Sequence, residues 1–180
     1  SLTENFCPIG MEQPAGNKIT GNPSSHPALS VKWVEDFPDI PLNRNEAYKL
    51  RVTSKGVEIE AITETGVYRA IQTLRQLTEK KGNGIAITGC EITDWPAFRI
   101  RGFMQDVGRT YISTDELKRE IAILARYKIN VFHWHLTENQ AWRLQSKVFP
   151  MLNDSVNTTR QPGKYYTLEE ARELAAFCKQ

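Results

Sequence analysis

The sequence predicts an α/β chain in two parts. Residues 1–95 read as a small α+β domain, an antiparallel-type sheet with a helix on one face. Residues 96–180 read as the opening βα units of a barrel. Three observations predict this. Residues 48–61 alternate apolar and polar side chains around a tight turn, which is a half-buried hairpin. Residues 67–77 repeat apolar side chains at i, i+3 and i+4, which is one face of a helix. Residues 100–136 run strand, capped helix, strand with short links, a βαβ unit whose strands must be parallel.

Taken in order, residues 1–28 hold Pro8, Pro14, Pro23, Pro27, Gly10, Gly16 and Gly21, a density that punctuates regular structure. An irregular lead-in with one short edge strand is expected, and His26 among Ser and Pro reads as a solvated loop residue. Leu29, Val31 and Trp33 alternate with Ser30, Lys32 and Val34 as a strand. Tyr48, Leu50 and Val52 face one way on the next strand, and Val57, Ile59 and Ala61 do so after the turn at Gly56. A helix opens at Gly66, with Val67, Ala70, Ile71, Leu74 and Leu77 inward and Arg69, Arg75 and Gln76 outward. It should end in the basic run 80–84, where the helix dipole favours cations. One last strand, 85–92, completes the domain, and nothing in it looks catalytic.

Thr93-Asp-Trp-Pro-Ala97 reads as the junction, since the proline holds Trp95 extended. Residues 100–107 are apolar enough for a strand buried on both faces. Ser113 and Glu116 form a capping box for a helix facing inward with Leu117, Ile121, Leu124 and Ala125, and residues 131–136 are the next strand. Residues 140–166 lack periodicity, and a loop of that length is usually functional. A second capping box, Thr167 with Glu170, starts a helix with Leu168, Ala171, Leu174, Ala175 and Cys178 on one face. The sequence stops where a third strand should follow.

Composition narrows the function classes. Lys plus Arg number 23 against 21 Asp plus Glu, so no global positive field points to nucleic acid. The apolar runs fall far short of the ~18 residues of a membrane span, and no targeting signal is visible at Ser1. Cys7, Cys90 and Cys178 are an odd number at wide spacings, which excludes a full disulfide framework and gives no zinc pattern, and Cys90 and Cys178 are expected as buried thiols.

In repeated βα architectures functional groups sit at the carboxyl ends of the strands. That rule selects Asp106, Gly108 and Arg109 after the first barrel strand, and His135, Glu138 and Asn139 after the second. Arg109 offers a fork of donors suited to vicinal hydroxyls or a carboxylate, or it forms a structural ion pair with Asp106 or Glu138. His133-Trp-His135 is an H-x-H on one side of a strand, a metal-ligand spacing in some barrel hydrolases, or a pair of hydrogen-bonded barrel-lining imidazoles. Trp134 and Trp142 either stack on a sugar or pack.

The segments DWPAFRIRGFMQDVGR, LARYKINVFHWHLTENQAWRL and GKYYTLEEARELAAF together resemble the start of the catalytic barrel of family-20 glycoside hydrolases, the β-N-acetylhexosaminidases. EAYKLRV, GVEIEA and GVYRAIQTLRQL resemble the small domain that precedes that barrel. The resemblance implies a (β/α)8 TIM-type barrel of which this chain holds the first two βα units. It implies a substrate ending in N-acetylhexosamine, a retaining, substrate-assisted reaction, no cofactor and no metal, and a secreted or periplasmic setting. Arg109 matches an arginine that grips sugar hydroxyls. Glu138 stands at the first Asp of an Asp-Asp pair, Asn139 replaces the second, and Thr110 stands where His is common. Glu138 is expected to hold substrate beside Arg109, and Asp106, His135, Asn139 and Trp142 are expected to support the site. The family's catalytic Asp-Glu pair belongs to a later strand, so these 180 residues should hold no catalytic residue and be inactive alone. Their unpaired strand edges should pack on the first domain, pair with another copy, or stay poorly ordered. A metal-dependent hydrolase using His133 and His135, and a non-catalytic carbohydrate-binding module, are the alternatives.

Overall fold

The computed structural model describes residues 18–19 and 28–179, which fall into two compact units, Ser1–Arg99 and Ile100–Gln180. Cys7, His26 and most of the expected lead-in lie outside the described residues.

In the first unit, β1 (Lys18–Ile19) is the short edge strand of a three-stranded antiparallel sheet, and β2 (Ala28–Trp33) begins a second sheet. β3 (Tyr48–Thr53) and β4 (Gly56–Ala61) form the hairpin that the alternation predicts. Tyr48, Leu50, Val52, Val57, Ile59 and Ala61 are all buried. Helix α1 (Glu64–Gln76) covers that face with Val67, Ala70, Ile71 and Leu74. The helix starts earlier than expected, because Thr63 caps it by accepting from the Gly66 amide. The opposite face of the sheet is charged, with Lys32 paired to Glu60 and Arg51 to Glu91.

The structure corrects four expectations here. The sheet is mixed rather than antiparallel: its order is β2-β4-β3-β7, with β2 parallel to β4. Trp33 and Tyr48 both lie level with Ala61, so the link 34–47 crosses the end of β4 and returns antiparallel to β2. Helix α1 ends at Gln76, and residues expected to close it form β5 (Thr78–Lys81), hairpinned to β6 (Gly84–Thr88). Gly82 turns that hairpin at φ +59°, a conformation that favours glycine. The single strand expected over 85–92 is two, because β7 (Cys90–Asp94) joins the four-stranded sheet. Arg69 faces inward at 8% exposure, with its Nε and Nη2 each 3.0 Å from Glu46 Oε2. Glu46 lies in a one-turn 3-10 helix (Arg44–Glu46) that packs against α1.

In the second unit, β8 (Gly102–Asp106), α2 (Thr114–Arg126) and β9 (Val131–His135) form the expected βαβ unit, with β8 and β9 parallel. β10 (Thr137–Glu138) and β11 (Ala141–Trp142) make a small hairpin, and α3 (Leu168–Phe177) follows the long loop. Both capping boxes are formed. Val107, Leu117, Tyr166 and Leu174 are the core, with Ile121, Phe132, Trp134 and Leu136 around them. β8 is not buried on both faces, since Phe103 and Met104 are exposed and β9 is its one strand partner among the described residues. α3 turns Leu174 inward but leaves Ala175 and Cys178 exposed, while Cys90 is half-buried, so only partly covered thiols replace the expected buried ones.

Candidate active site

Parallel pairing sets Asp106 and His135 level with each other at the carboxyl ends of β8 and β9. The Val107 amide donates to the His135 carbonyl at 3.0 Å, carrying the pairing one residue further. The chain then turns through Gly108, which is buried against Glu138. A Cβ at Gly108 would stand 2.9 Å from Glu138 Cβ and 3.0 Å from its amide nitrogen. Glycine is required there by close approach of two backbones, not by a positive φ.

That close approach delivers Arg109. Its amide donates to Asp106 Oδ1 at 3.1 Å, its Nε lies 3.2 Å from Asp106 Oδ2, and its Nη2 lies 3.1 Å from Glu138 Oε1. The guanidinium therefore bridges carboxylates from both strand ends, while its side chain stays 60% exposed. It is an ion pair, as one reading of the sequence had it, and it still presents donor edges outward.

His135 stands between the same carboxylates, with Nδ1 3.8 Å from Asp106 Oδ1 and Nε2 4.0 Å from Glu138 Oε1. Both separations exceed a direct hydrogen bond, and the buried Nδ1 has no protein partner. Asn139 is exposed in the β10–β11 turn, its amide 3.3 Å from Glu138 Oε2, and Trp142 is partly exposed on β11 opposite Thr137. Asp106, Arg109, His135 and Glu138 are thus one cluster, with Asn139 adjoining it through Glu138.

The sequence of residues 98–180 matches the family described as "Glycosyl hydrolase family 20, catalytic domain", and residues 12–95 match "Glycosyl hydrolase family 20, domain 2". The chain belongs to glycosyl hydrolase family 20. Among relatives of this family-20 chain, the beta-hexosaminidase of Porphyromonas gingivalis is 39% identical over 179 residues, 92% of this chain and 21% of that protein. The beta-N-acetylhexosaminidase of Cellulomonas fimi is 36% identical, covering 82% of this chain and 30% of that protein. Among solved structures, a mutant Streptomyces plicatus beta-hexosaminidase in complex with product (GlcNAc) aligns with TM-score 0.73 and 30% identity, over 86% of this chain and 32% of that one. The chain spans between about a fifth and a third of the length of these relatives.

For a family-20 chain the metal reading of His133 and His135 is not favoured by the geometry. The two rings are 6.1 Å apart and tilted by 58°. Ligand atoms of Asp106, His135 and Glu138 do come within 4.8 Å of one another, but without His133. Both carboxylates of that group already hold the Arg109 guanidinium, so a cation would have to displace one charge to bind the other.

Two residues escaped the sequence reading. Arg143 is fully buried, and burial lowers its pKa from the ordinary arginine value. Asn153 organises the long loop by accepting from the Ser146 amide at 2.7 Å and donating to the Leu144 carbonyl at 3.0 Å. Neither has a periodic or motif signal, because their partners are main-chain atoms. Burial likewise raises the pKa of Tyr166, which donates to the Ile112 carbonyl and stacks on Tyr111 at 4.8 Å.

Proposed function

We propose that these residues form one wall of the sugar pocket of a β-N-acetylhexosaminidase that removes terminal, non-reducing β-linked N-acetylhexosamine from a glycan or glycoconjugate. In this reading the second unit supplies the first two βα units of a (β/α)8 barrel, and the first unit is the domain that precedes it, with the boundary near residue 95. The observation that carries the reading is Arg109. It is a guanidinium fixed by carboxylates at two adjacent strand ends, yet open enough to donate to vicinal hydroxyls. Glu138 accepts from a neighbouring hydroxyl with its remaining lone pairs. Asp106 and His135 orient those two groups, with Asn139 and Trp142 bordering the sugar. The product-bound Streptomyces relative supports N-acetylglucosamine as a ligand of this kind of site.

The chemistry follows the substrate-assisted route of the family. The acetamido oxygen of the substrate attacks the anomeric carbon while a carboxylic acid protonates the leaving oxygen, and water then completes hydrolysis with net retention. No residue among these 180 is assigned that acid, whose contribution is typically on the order of 10²–10⁴ in rate. The test compares the full-length protein carrying this chain with the 180-residue chain on a chromogenic N-acetylglucosaminide. Turnover by the full-length protein alone is expected. A full-length protein that ignores N-acetylhexosaminides but cleaves another glycoside would overturn the assignment. Turnover by the 180-residue chain would overturn the absence of an acid, and N-acetylglucosamine binding without turnover by either would favour a binding module.

A further inference from the structure

Arg143 is a charged side chain with no exposed surface and no carboxylate partner among the described residues. Burying a cation is tolerable only when every donor is used, and here all five are. Nε donates to the Val107 carbonyl at 3.0 Å. Nη1 donates to the carbonyls of Gln161 at 3.2 Å and Lys164 at 2.7 Å. Nη2 donates to the carbonyls of Gly108 at 3.3 Å and Arg160 at 2.8 Å. The acceptors fall in two short segments. Val107 and Gly108 are the two residues between Asp106 and Arg109. Residues 160–164 belong to the long loop, and Gln161 returns to the same region by accepting from the Tyr111 amide through its side chain.

We propose that Arg143 is a positioning residue for sugar binding: by holding the carbonyls of Val107 and Gly108 it fixes the turn that presents Arg109 to Glu138. The inference rests on the reading of Arg109 as a sugar-binding group. The turn has little freedom in the other direction, because Gly108 already packs against the backbone of Glu138. Arg143 therefore holds the carbonyls of the turn while Glu138 packs closely against Gly108, and Arg109 follows directly in sequence. A lysine at this position keeps the charge but brings three donors to five carbonyls. The turn then loses part of its hold and the guanidinium of Arg109 loses its fixed place.

The test uses the full-length protein, with KM and kcat for a chromogenic N-acetylglucosaminide measured alongside Tm for wild type, Arg143→Lys, Arg109→Ala and the double variant. Arg143→Lys should raise KM on the order of tenfold, the loss of one charge-assisted hydrogen bond. In the Arg109→Ala background it should raise KM no further, since the group it positions is gone. An unchanged KM with a lowered Tm, or a KM increase of the same factor in both backgrounds, would overturn the proposal by showing a purely structural role. If Arg143→Lys does not accumulate as folded protein, Gly108→Ala moves the same turn. It should raise KM with the same dependence on Arg109, and a KM equal to wild type would overturn the claim that the turn governs binding. A wild-type protein without turnover would instead refute the hexosaminidase reading itself.

Discussion

Replacing Gly108 by alanine adds one methyl group where two backbones are already in contact. The new Cβ would lie 2.9 Å from Glu138 Cβ, 3.0 Å from its amide nitrogen and 3.2 Å from its Cγ. The first two atoms are placed by the β10 backbone, so a new rotamer of Glu138 cannot relieve them. Restoring ordinary contact requires the turn and β10 to separate by about half an ångström, within an interior that resists such movement. Overpacking by one methyl group costs about 1–3 kcal/mol. For a unit the size of residues 100–180 that corresponds to a fall in Tm of roughly 4–24 °C. The same separation stretches the 3.1 Å contact between Arg109 Nη2 and Glu138 Oε1 toward the limit of hydrogen bonding. Thermal unfolding of the 180-residue chain, followed by circular dichroism, reads the first effect. A Tm for Gly108→Ala within about 1 °C of the parent would refute the close approach on which this geometry depends.

Two further outcomes follow from other contacts. Glu46→Ala should destabilise the first unit by about 3 kcal/mol, because it strips the nearly buried Arg69 of its carboxylate, whereas replacing the whole pair, Glu46→Leu with Arg69→Met, should cost about 1 kcal/mol or less; equal costs in a denaturant titration would contradict the reading of a mostly buried pair. The Glu116 carboxylate is held below its ordinary pKa by its hydrogen bonds to Ser113, so its contribution is present above the unfolded value of about 4.3 and is lost as pH falls through the lower folded value. Glu116→Gln should therefore flatten the acid limb of Tm against pH, and an unchanged limb would show that the capping carboxylate has no part in it.

Much of this arrangement was readable from local patterns. Alternation over Tyr48 to Ala61 located a hairpin because one face of it is buried and the other charged. The capping boxes at Ser113 and Thr167 fixed two helix starts, since their partners lie three residues away in sequence. Asp106, Arg109, His135 and Glu138 were found together because parallel strands bring their carboxyl ends to one level. What the sequence hid depends on distant or main-chain partners. Thr78–Lys81 is polar and entirely exposed, so nothing in its pattern distinguishes an edge strand from a helix end. Arg69 looked solvated because its partner Glu46 sits 23 residues away in a single turn of helix. Arg143 gave no signal because carbonyl oxygens are the same at every residue.

If Arg109 holds a sugar, KM for a chromogenic N-acetylglucosaminide must change between the full-length protein and its Arg109→Ala variant. Loss of charge-assisted hydrogen bonds to hydroxyls should raise KM on the order of 10- to 100-fold, with folding retained because the side chain is 60% exposed. An Arg109→Ala variant with wild-type KM would show that Arg109 does not bind the sugar.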